Sequence, residues 1–317
     1  MIPSRFRIAG VIAAAAIVAG ACTGAGATAS PTATPVPPTT APVSSGSVAP
    51  AASVLPTVPA SQLIKAGALT VCSDTSYPPQ ESLDSSNNAV GSDIDLAKEI
   101  AKRLNLTLAV KSTVFDSIIP ALTGGSCDII ISAQTITTDR QKQVDMIPYF
   151  AAGQSFVVLK GNPSNIKTVD DLCGKTVAAE KGTIEADHIT GTGSGYDNTT
   201  GLSPMCVAKG KTAITLKVFD ADTQALLALQ AGTVAVHFTD EPVAGYEVVN
   251  GNNAFEMVTA MTLERGAEGI SVTKNNTALR DAVKSNLQAM MDDGTYLKIL
   301  TKWGVQSGAI TSTAPAS

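Results

Sequence analysis

Residues 115–150 of this 317-residue chain read FDSIIPALTGGSCDIIISAQTITTDRQKQVDMIPYF. Within them, a short helical pattern from Ser117 to Leu122 leads through the pair Gly124–Gly125 into the apolar run Asp128–Ser132. A continuous apolar run of this length, bounded by a turn and by polar residues, is typical of a strand that a parallel sheet buries on both faces. The stretch therefore predicts a helix–turn–strand unit of an α/β fold.

The same pattern extends on both sides of this stretch. Upstream, Ala68–Cys72 and Leu106–Val110 are predicted strands, and Ser92 with Asp95 forms an S-x-x-D start to an amphipathic helix. Downstream, strands are predicted over 175–180, 216–219 and 234–239, with a helix over 222–230. The sequence therefore predicts two α/β units.

Polar residues end one strand in each unit. In open α/β sheets, ligands bind beyond the carboxyl ends of the strands, where loops and helix N-termini present unsatisfied polar groups. The polar residues are Ser132, Gln134 and Thr135 in the first unit and Thr239, Asp240 and Glu241 in the second. Two units that face each other would form a cleft lined by both sets, which is the geometry of a hinged clamp.

The N-terminus carries an export signal. Arg5 and Arg7 precede an uncharged run, Ile8–Ala21, that is too short for a membrane span of about 20 residues. The run ends in Ala19-Gly20-Ala21-Cys22, which resembles the lipobox of bacterial prolipoproteins, although Ala19 stands where a larger aliphatic residue is usual. We predict a signal peptide over 1–21, lipidation of Cys22, and a disordered Pro/Thr/Ala tether over 22–60.

Composition and cysteine count exclude several classes of function. A formal charge of −5 with scattered Lys and Arg makes nucleic acid an unexpected partner. Four cysteines follow Cys22, and an even number in an exported chain indicates disulfides. We expect a Cys173–Cys206 bridge, whereas Cys72 and Cys127 are either bridged or buried thiols. No CxxC or Cys/His ligand spacing occurs, so neither a metal nor a cofactor is expected.

Several ordered motifs resemble the extracellular solute-binding proteins, family 3, of bacterial polar amino-acid ABC importers. The resemblance covers roughly Leu69–Trp303 and is carried by residues 115–150, GSDIDLAKEIAKRL at Gly91, AGTVAVHFTDEP at Ala231, and the closing GAEGISVTKNNTALRDAV and DDGTYLKILTKWG. It implies a type II periplasmic-binding-protein fold, in which two α/β lobes are joined by a two-segment hinge. The first lobe would comprise 61–156 and 256–317, which includes a C-terminal tail, and the second lobe 157–255.

The resemblance implies roles for three polar residues. Arg140 falls where the family grips the ligand α-carboxylate, a task that suits the planar fork of guanidinium donors. Asp240 matches the carboxylate that pairs with the ligand α-ammonium, and Thr183 opens a helix whose free N–H groups would add to carboxylate binding. The alternatives are a solvated surface charge for Arg140 and helix caps for Asp240 and Thr183.

Further binding residues follow from matching positions. The strand-end segment is expected to complete the backbone contacts with the ligand, Tyr77 and Phe115 to stack against the ligand, and Asp74 to bind its side chain. The strand-end residues are Ser132, Ala133, Gln134 and Thr135. Strand termination, core packing and turn capping are the alternatives. Gln80 stands where the family often has an aromatic residue, so a polar or cationic ligand is favoured over an aliphatic one.

The resemblance predicts a function and a location. The chain is expected to be the substrate-binding lipoprotein of an ABC importer, with an amino acid and an ABC permease as partners. It would act as a monomer outside the cytoplasmic membrane, to which its N-terminal lipid anchors it. An amino-acid sensor and an enzyme similar to cyclohexadienyl dehydratases are the alternatives, and we predict no catalysis. His237, within an apolar strand, is expected to be a packed core residue.

Overall fold

A computed structural model describes residues 57–314 except residues 262 and 264, together with the side chains of these residues except that of Ala260. The predicted signal peptide, Cys22 and most of the predicted tether lie outside the described residues. Among the helices that are described, none has the length and apolar character needed to cross a membrane.

Twelve strands and nine α-helices form the described part of the chain. The strands are β1 (Ala68–Ser73), β2 (Ser76–Tyr77), β3 (Glu81–Leu83), β4 (Ala89–Val90), β5 (Thr107–Ser112), β6 (Ile129–Ile130), β7 (Val144–Leu159), β8 (Thr176–Glu180), β9 (Thr215–Phe219), β10 (Val236–Asp240), β11 (Phe255–Met257) and β12 (Arg265–Thr273). The helices are α1 (Ser92–Arg103), α2 (Ile118–Thr123), α3 (Thr138–Gln143), α4 (Ile184–Thr190), α5 (Leu202–Ala208), α6 (Asp222–Gln230), α7 (Glu241–Asn250), α8 (Thr277–Asp292) and α9 (Thr295–Lys302). Short 3-10 turns lie at Ala60–Gln62, Phe115–Ser117, Val169–Leu172, Thr259–Met261 and Gln306–Gly308.

The strands form two α/β lobes, which confirms the predicted fold class. The first lobe has the strand order β5-β1-β6-β12-β7, and the second continues from β7 through β10 and β8 to β9, with β11 also on β7. Strands β1 and β6 pair in parallel, as do β10 and β8. Leu69, Val71, Ile129 and Ile131 are fully buried in the first core, because helices cover both faces of this sheet.

Strand β7 connects the two lobes. Its first part pairs with β12, from Val144↔Thr273 to Gly153↔Arg265. From Gln154 onward it pairs with β10 and then with β11. The chain crosses between the lobes here and again in the segment between β11 and β12, so two antiparallel segments lie side by side at the hinge.

Each lobe contains one disulfide. The expected Cys173–Cys206 bridge is confirmed in the second lobe and closes a sequence separation of 33 residues. Cys72 and Cys127, for which buried thiols were the alternative, also form a bridge and link β1 to the residues before β6. Both bridges lie within single lobes, so neither one restrains movement of one lobe relative to the other.

The predicted capping of α1 by Ser92 differs from the structure. Ser92 is the first helical residue, and Gly91 occupies the cap position without a side-chain hydrogen bond. Gly91 has φ +137°, and a Cβ at this position would overlap the backbone oxygen of Gln80. Glycine is required here because the helix start passes directly over the backbone of the β2–β3 connection.

Candidate functional site

A pocket with an empty volume of about 300 Å³ lies between the two lobes. It is lined from the first lobe by the β2–β3 region and the β6–α3 loop, and from the second lobe by the starts of α4 and α7. The lining residues are Asp74, Tyr77, Glu81, Phe115, Ser132, Ala133, Thr135, Arg140, Glu180, Thr183, Ile184, Glu185 and Asp240. Nine of the ten residues predicted to bind ligand therefore line one cavity, and Gln134 is the exception.

Arg140 is buried near the start of α3, with 8% of its surface exposed. Thr137 caps this helix, since its hydroxyl accepts from the N–H of Arg140 at 3.2 Å, and the cap presents the guanidinium to the pocket. Nη1 donates to the backbone oxygen of Thr135 at 2.7 Å, and Nη2 donates to that of Gly182, in the opposite lobe, at 3.0 Å. The guanidinium also lies 5.3 Å from the ring centre of Phe115.

The guanidinium of Arg140 has no carboxylate oxygen within 4.0 Å among the residues that the structure describes. Burial lowers the pKa of Arg140, and the more distant Glu185, Asp187 and Asp240 offset this only in part. A buried cation without a close counter-ion is costly. The arrangement therefore favours an anionic group as a pocket ligand.

Asp240 faces the pocket from the end of β10. The Tyr77 hydroxyl, in the first lobe, donates to its Oδ2 at 2.9 Å and accepts from its backbone N–H at 3.0 Å. Asp240 occupies the cap position of α7, but its side chain makes no capping hydrogen bond. Burial, with the charges of Glu185 and Glu268, raises the pKa of Asp240 well above its usual value. A cationic group beside this side chain would offset that penalty.

Asp74 and Glu180 form an acidic pair at another part of the pocket, one from each lobe. Asp74 accepts from the backbone N–H groups of Ser76 at 3.0 Å and Phe115 at 2.8 Å, so it also caps the following turn. The hydroxyl of Ser76 lies 3.4 Å from Glu180 Oε1. Burial raises the pKa of both carboxyl groups. The charge of Asp222 raises both pKa values further, and the charge of Asp74 also raises the pKa of Glu180.

The strand-end residues of the first lobe have divergent roles. The Ser132 hydroxyl donates to Glu81 Oε1 and accepts from the N–H of Asp74, both at 2.8 Å. Ala133 has φ +42° and lines the pocket, whereas the side chain of Gln134 is directed elsewhere and accepts from Ser271 at 2.6 Å. The chain leaves β6 at Ile130, and the left-handed backbone at Ala133 turns the segment, so its side chains no longer alternate as in a strand.

Thr183 lines the pocket and also caps α4. Its hydroxyl accepts from the N–H of Ala186 at 3.4 Å and donates to the backbone oxygen of Glu180 at 2.8 Å. The preceding Gly182 has φ +81°, and a Cβ there would lie 2.9 Å from the Cα of Asp116 in the opposite lobe. Glycine at this position therefore permits the close approach of the two lobes.

Some pocket residues did not emerge as binding residues from the sequence. Glu81, Ile184, Glu180 and Glu185 line the pocket but were not among the residues predicted to bind ligand. Gln80, expected to add an amide to the pocket, instead donates to Glu268 at 2.7 Å and is absent from the lining. The positions of Gln80 and Glu81 depend on the folding of the β2–β3 hairpin against β12, which local sequence patterns do not predict.

Burial raises the pKa values of several acids in and around the pocket. They are Glu81, Asp93, Glu180, Asp240 and Glu268. Asp93 reaches a pKa of about 6. At pH values between the unfolded and the folded pKa of these acids, the folded chain holds more protons than the unfolded chain. The free energy of unfolding therefore falls as pH rises.

We therefore expect the ligand-free protein to melt several degrees higher at pH 5 than at pH 7.5. Each retained proton contributes about 1.4 kcal/mol per pH unit between the unfolded and folded pKa values. Burial lowers the pKa of His188 to about 4, so this one residue makes the fold more stable as pH rises and opposes the effect of the acids. Calorimetry across this range is the measurement, and a melting temperature that rises steadily toward pH 7.5 would contradict the prediction.

Comparison with known proteins places this fold and site in context. The L-cystine-binding protein TcyJ of Escherichia coli (strain K12) is 27% identical over 238 residues, which cover 75% of this chain and 82% of TcyJ. ABC transporter arginine-binding protein 1 of the same strain is 30% identical over 230 residues, covering 72% and 86%. A solved structure of an ancestral arginine-binding protein bound to arginine has 38% identity and a TM-score of 0.65, covering 75% and 98%.

The family itself is recognised over most of the chain. The match extends from residue 69 to residue 306 and thus includes both lobes, both hinge segments and every residue that lines the pocket. This chain belongs to the bacterial extracellular solute-binding proteins, family 3.

Proposed function

We propose that this protein captures a free amino acid with a cationic side chain and delivers it to an ABC importer. The observation that carries the proposal is the juxtaposition of buried Arg140 and buried Asp240 across one interlobe pocket. An α-amino acid carries a carboxylate and an ammonium group on the same carbon atom. Arg140 would bind the carboxylate through charge-assisted hydrogen bonds, and Asp240 would bind the ammonium.

The remaining charge of the pocket supports a cationic side chain. Five of the lining side chains are carboxylic acids, whereas Arg140 is the one basic residue among them. Desolvated acids with raised pKa values bind a cation more readily than a neutral or anionic group, because the cation restores their ionised form. We assign Asp74 and Glu180 to the ligand side chain, and arginine and lysine are the best candidates. Two similar proteins, one from Escherichia coli and one ancestral, are named as arginine-binding proteins, which supports this choice.

The location and the delivery step belong to the same proposal. Arg5, Arg7 and the uncharged run before Cys22 support export and lipidation, and the Pro-rich segment after Cys22 supports a tether. A monomer that is anchored outside the cytoplasmic membrane would hold the captured amino acid close to its permease. The chain belongs to a solute-binding family, and one similar protein is named as part of an ABC transporter. Both facts support import over a sensing role.

Binding without catalysis is the proposed activity, and a dehydratase is the second candidate. Glu185 is the observation that favours the second candidate, because it is a buried pocket acid whose pKa is raised by burial and could donate a proton. The pairing of Arg140 with Asp240 favours binding. Incubation of the purified protein with prephenate or arogenate decides between them, since a dehydratase would release water and product, whereas a binding protein would leave both compounds intact.

The ligand class is tested by thermal shift and calorimetry with the twenty amino acids, ornithine and citrulline. A ligand that binds only the folded state raises the melting temperature. We expect arginine or lysine to give the largest shift, and citrulline, which has nearly the shape of arginine but no side-chain charge, to give a much smaller one. Equal shifts for arginine and citrulline would refute the cationic subsite. Absence of any shift would refute amino-acid capture itself.

A further inference from the structure

A buried group of three titratable side chains lies in the second lobe outside the pocket. His237 on β10 is fully buried, as the sequence indicates, but its environment is not apolar. Its Nε2 lies 2.9 Å from Oδ1 of Asp222, the first residue of α6, and its Nδ1 lies 3.2 Å from Oε2 of Glu247 in α7. Both carboxylates are also buried, with exposures of 1% and 4%.

The geometry identifies this group as an ion triad. Burial disfavours the charged imidazole, but the two carboxylates outweigh it and raise the pKa of His237 well above its usual value. A protonated ring donates from both nitrogens, which satisfies one carboxylate on each side. The three side chains are close enough for a shared metal ion, within 4.8 Å of one another, yet one imidazole can offer only one nitrogen to one ion and each nitrogen already faces a carboxylate.

The triad is connected to the pocket through Thr239. His237 and Thr239 lie on the same face of β10, because they are two residues apart. The Thr239 hydroxyl lies 3.1 Å from Asp222 Oδ1 and 3.0 Å from the Tyr77 hydroxyl, which in turn donates to Asp240. The single Thr239 proton serves either Asp222 or Tyr77 at one time, so a line of polar contacts, rather than a continuous chain of hydrogen bonds, runs from His237 to the carboxylate assigned to the ligand ammonium.

Asp222 also contacts the first lobe directly. Its backbone N–H donates to the Ser76 hydroxyl at 3.2 Å, next to Tyr77 in the same β2 strand. The contacts of Asp222 and Thr239 with Ser76 and Tyr77 exist only while the lobes are together. The position of the Asp222 side chain therefore affects the closed arrangement and not the interior of the second lobe alone.

We propose that His237 is a positioning residue for ligand capture: it holds Asp222 so that Thr239 and Tyr77 orient Asp240 and join the two lobes. The inference rests on the proposed binding role of Asp240. His237 touches no ligand and acts through Asp222. Its loss should weaken binding of the amino acid by opening the lobes, even where the second lobe remains folded.

Two variants that differ in one donor test this role. Both carry Glu247→Gln, which removes a buried charge that would otherwise lose its partner. His237→Gln retains an amide donor at about the reach of Nε2 and can still bind Asp222, whereas the shorter His237→Asn mimics Nδ1 and cannot. With L-arginine or the amino acid that the wild type prefers, calorimetry should give near-wild-type affinity for H237Q/E247Q and roughly fivefold to tenfold weaker affinity for H237N/E247Q.

Thr239 provides a second test that leaves the triad intact. Thr239→Ser keeps the hydroxyl and should bind the amino acid as the wild type does. Thr239→Val should weaken the affinity by about the same factor as H237N/E247Q does. Combining T239V with H237N/E247Q should reduce the affinity little further, because both changes interrupt the same line of polar contacts. Fully additive losses, or equal affinities of the two His237 variants, would overturn the proposal. If H237N/E247Q does not fold, the T239V and T239S pair decides the role of the connection by the same criterion.

Small-angle X-ray scattering supplies a readout that needs no amino acid. The proposal expects a larger radius of gyration for ligand-free H237N/E247Q than for H237Q/E247Q in the same buffer. Equal radii would overturn it. If the wild type binds none of the amino acids screened, the proposed function fails, whereas a difference in radius would still support the role of His237 in lobe closure.

Discussion

Replacing Arg140 by methionine is expected to weaken amino-acid binding by about a hundredfold or more. Two charge-assisted hydrogen bonds to the ligand carboxylate would be lost, and removal of one partner from a buried charge pair costs about 3 kcal/mol or more. Methionine keeps an unbranched apolar stem in place of the arginine stem, whereas the guanidinium contact with Phe115 is lost. Isothermal titration with the preferred amino acid measures the effect.

The stability of the ligand-free R140M variant separates binding from folding. The arginine is buried without a close carboxylate among the described residues, so its removal relieves a desolvation cost while losing hydrogen bonds to Thr135 and Gly182. We expect a melting temperature close to that of the wild type. Lys142→Met, an exposed change in the same helix, is the matched control and should bind normally. Wild-type affinity in R140M would refute the carboxylate assignment.

Replacing Asp240 by asparagine is expected to weaken binding by about thirtyfold, which corresponds to roughly 2 kcal/mol. Asparagine keeps the shape of the side chain and still accepts from Tyr77, but it cannot ionise to pair with the ligand ammonium. Burial raises the pKa of Asp240, and a ligand ammonium beside this carboxyl group would lower that pKa again. Titration in buffers of different ionisation enthalpy should therefore reveal proton release on binding to the wild type and less release on binding to D240N.

The ligand-free D240N variant should be at least as stable as the wild type near neutral pH. A side chain whose folded pKa is raised stabilises the fold less as pH increases, and asparagine has no such dependence. Asp220→Asn, an exposed change in the same lobe, is the control for charge alone and should leave the affinity unchanged. If D240N bound the amino acid as tightly as the wild type, Asp240 could not be the ammonium ligand.

Weaker binding without a loss of stability is expected for both variants for one physical reason. A site that is complementary to a zwitterion keeps opposite charges buried and apart until the ligand arrives, which costs folding energy. Arg140 and the acid group around Asp240 meet this description within the pocket. The ligand then contributes the counter-charges on both sides, so binding stabilises the closed form.

The fold class, the family and the Cys173–Cys206 bridge were accessible from the sequence. Apolar runs of strand length, helical spacing and turn residues are local patterns, and the motif around Arg140 is contiguous. Strand ends also follow from such patterns, so Ser132, Thr135 and Asp240 could be assigned to one edge of the sheets. The strands and helices of the fold class could be predicted because each pattern depends on residues that are close together in the chain.

The electrostatic state of the site was decided by tertiary structure. Gln80 lies outside the pocket and donates to Glu268, which is 188 residues away in the sequence. Tyr77 donates to Asp240, which is 163 residues away. His237 could be predicted as buried, but not as the partner of Asp222 and Glu247 on two different helices. A carboxylate has the same sequence signal whether it is solvated or buried, and only the approach of distant segments determines which acids lose water and which groups then hold their protons.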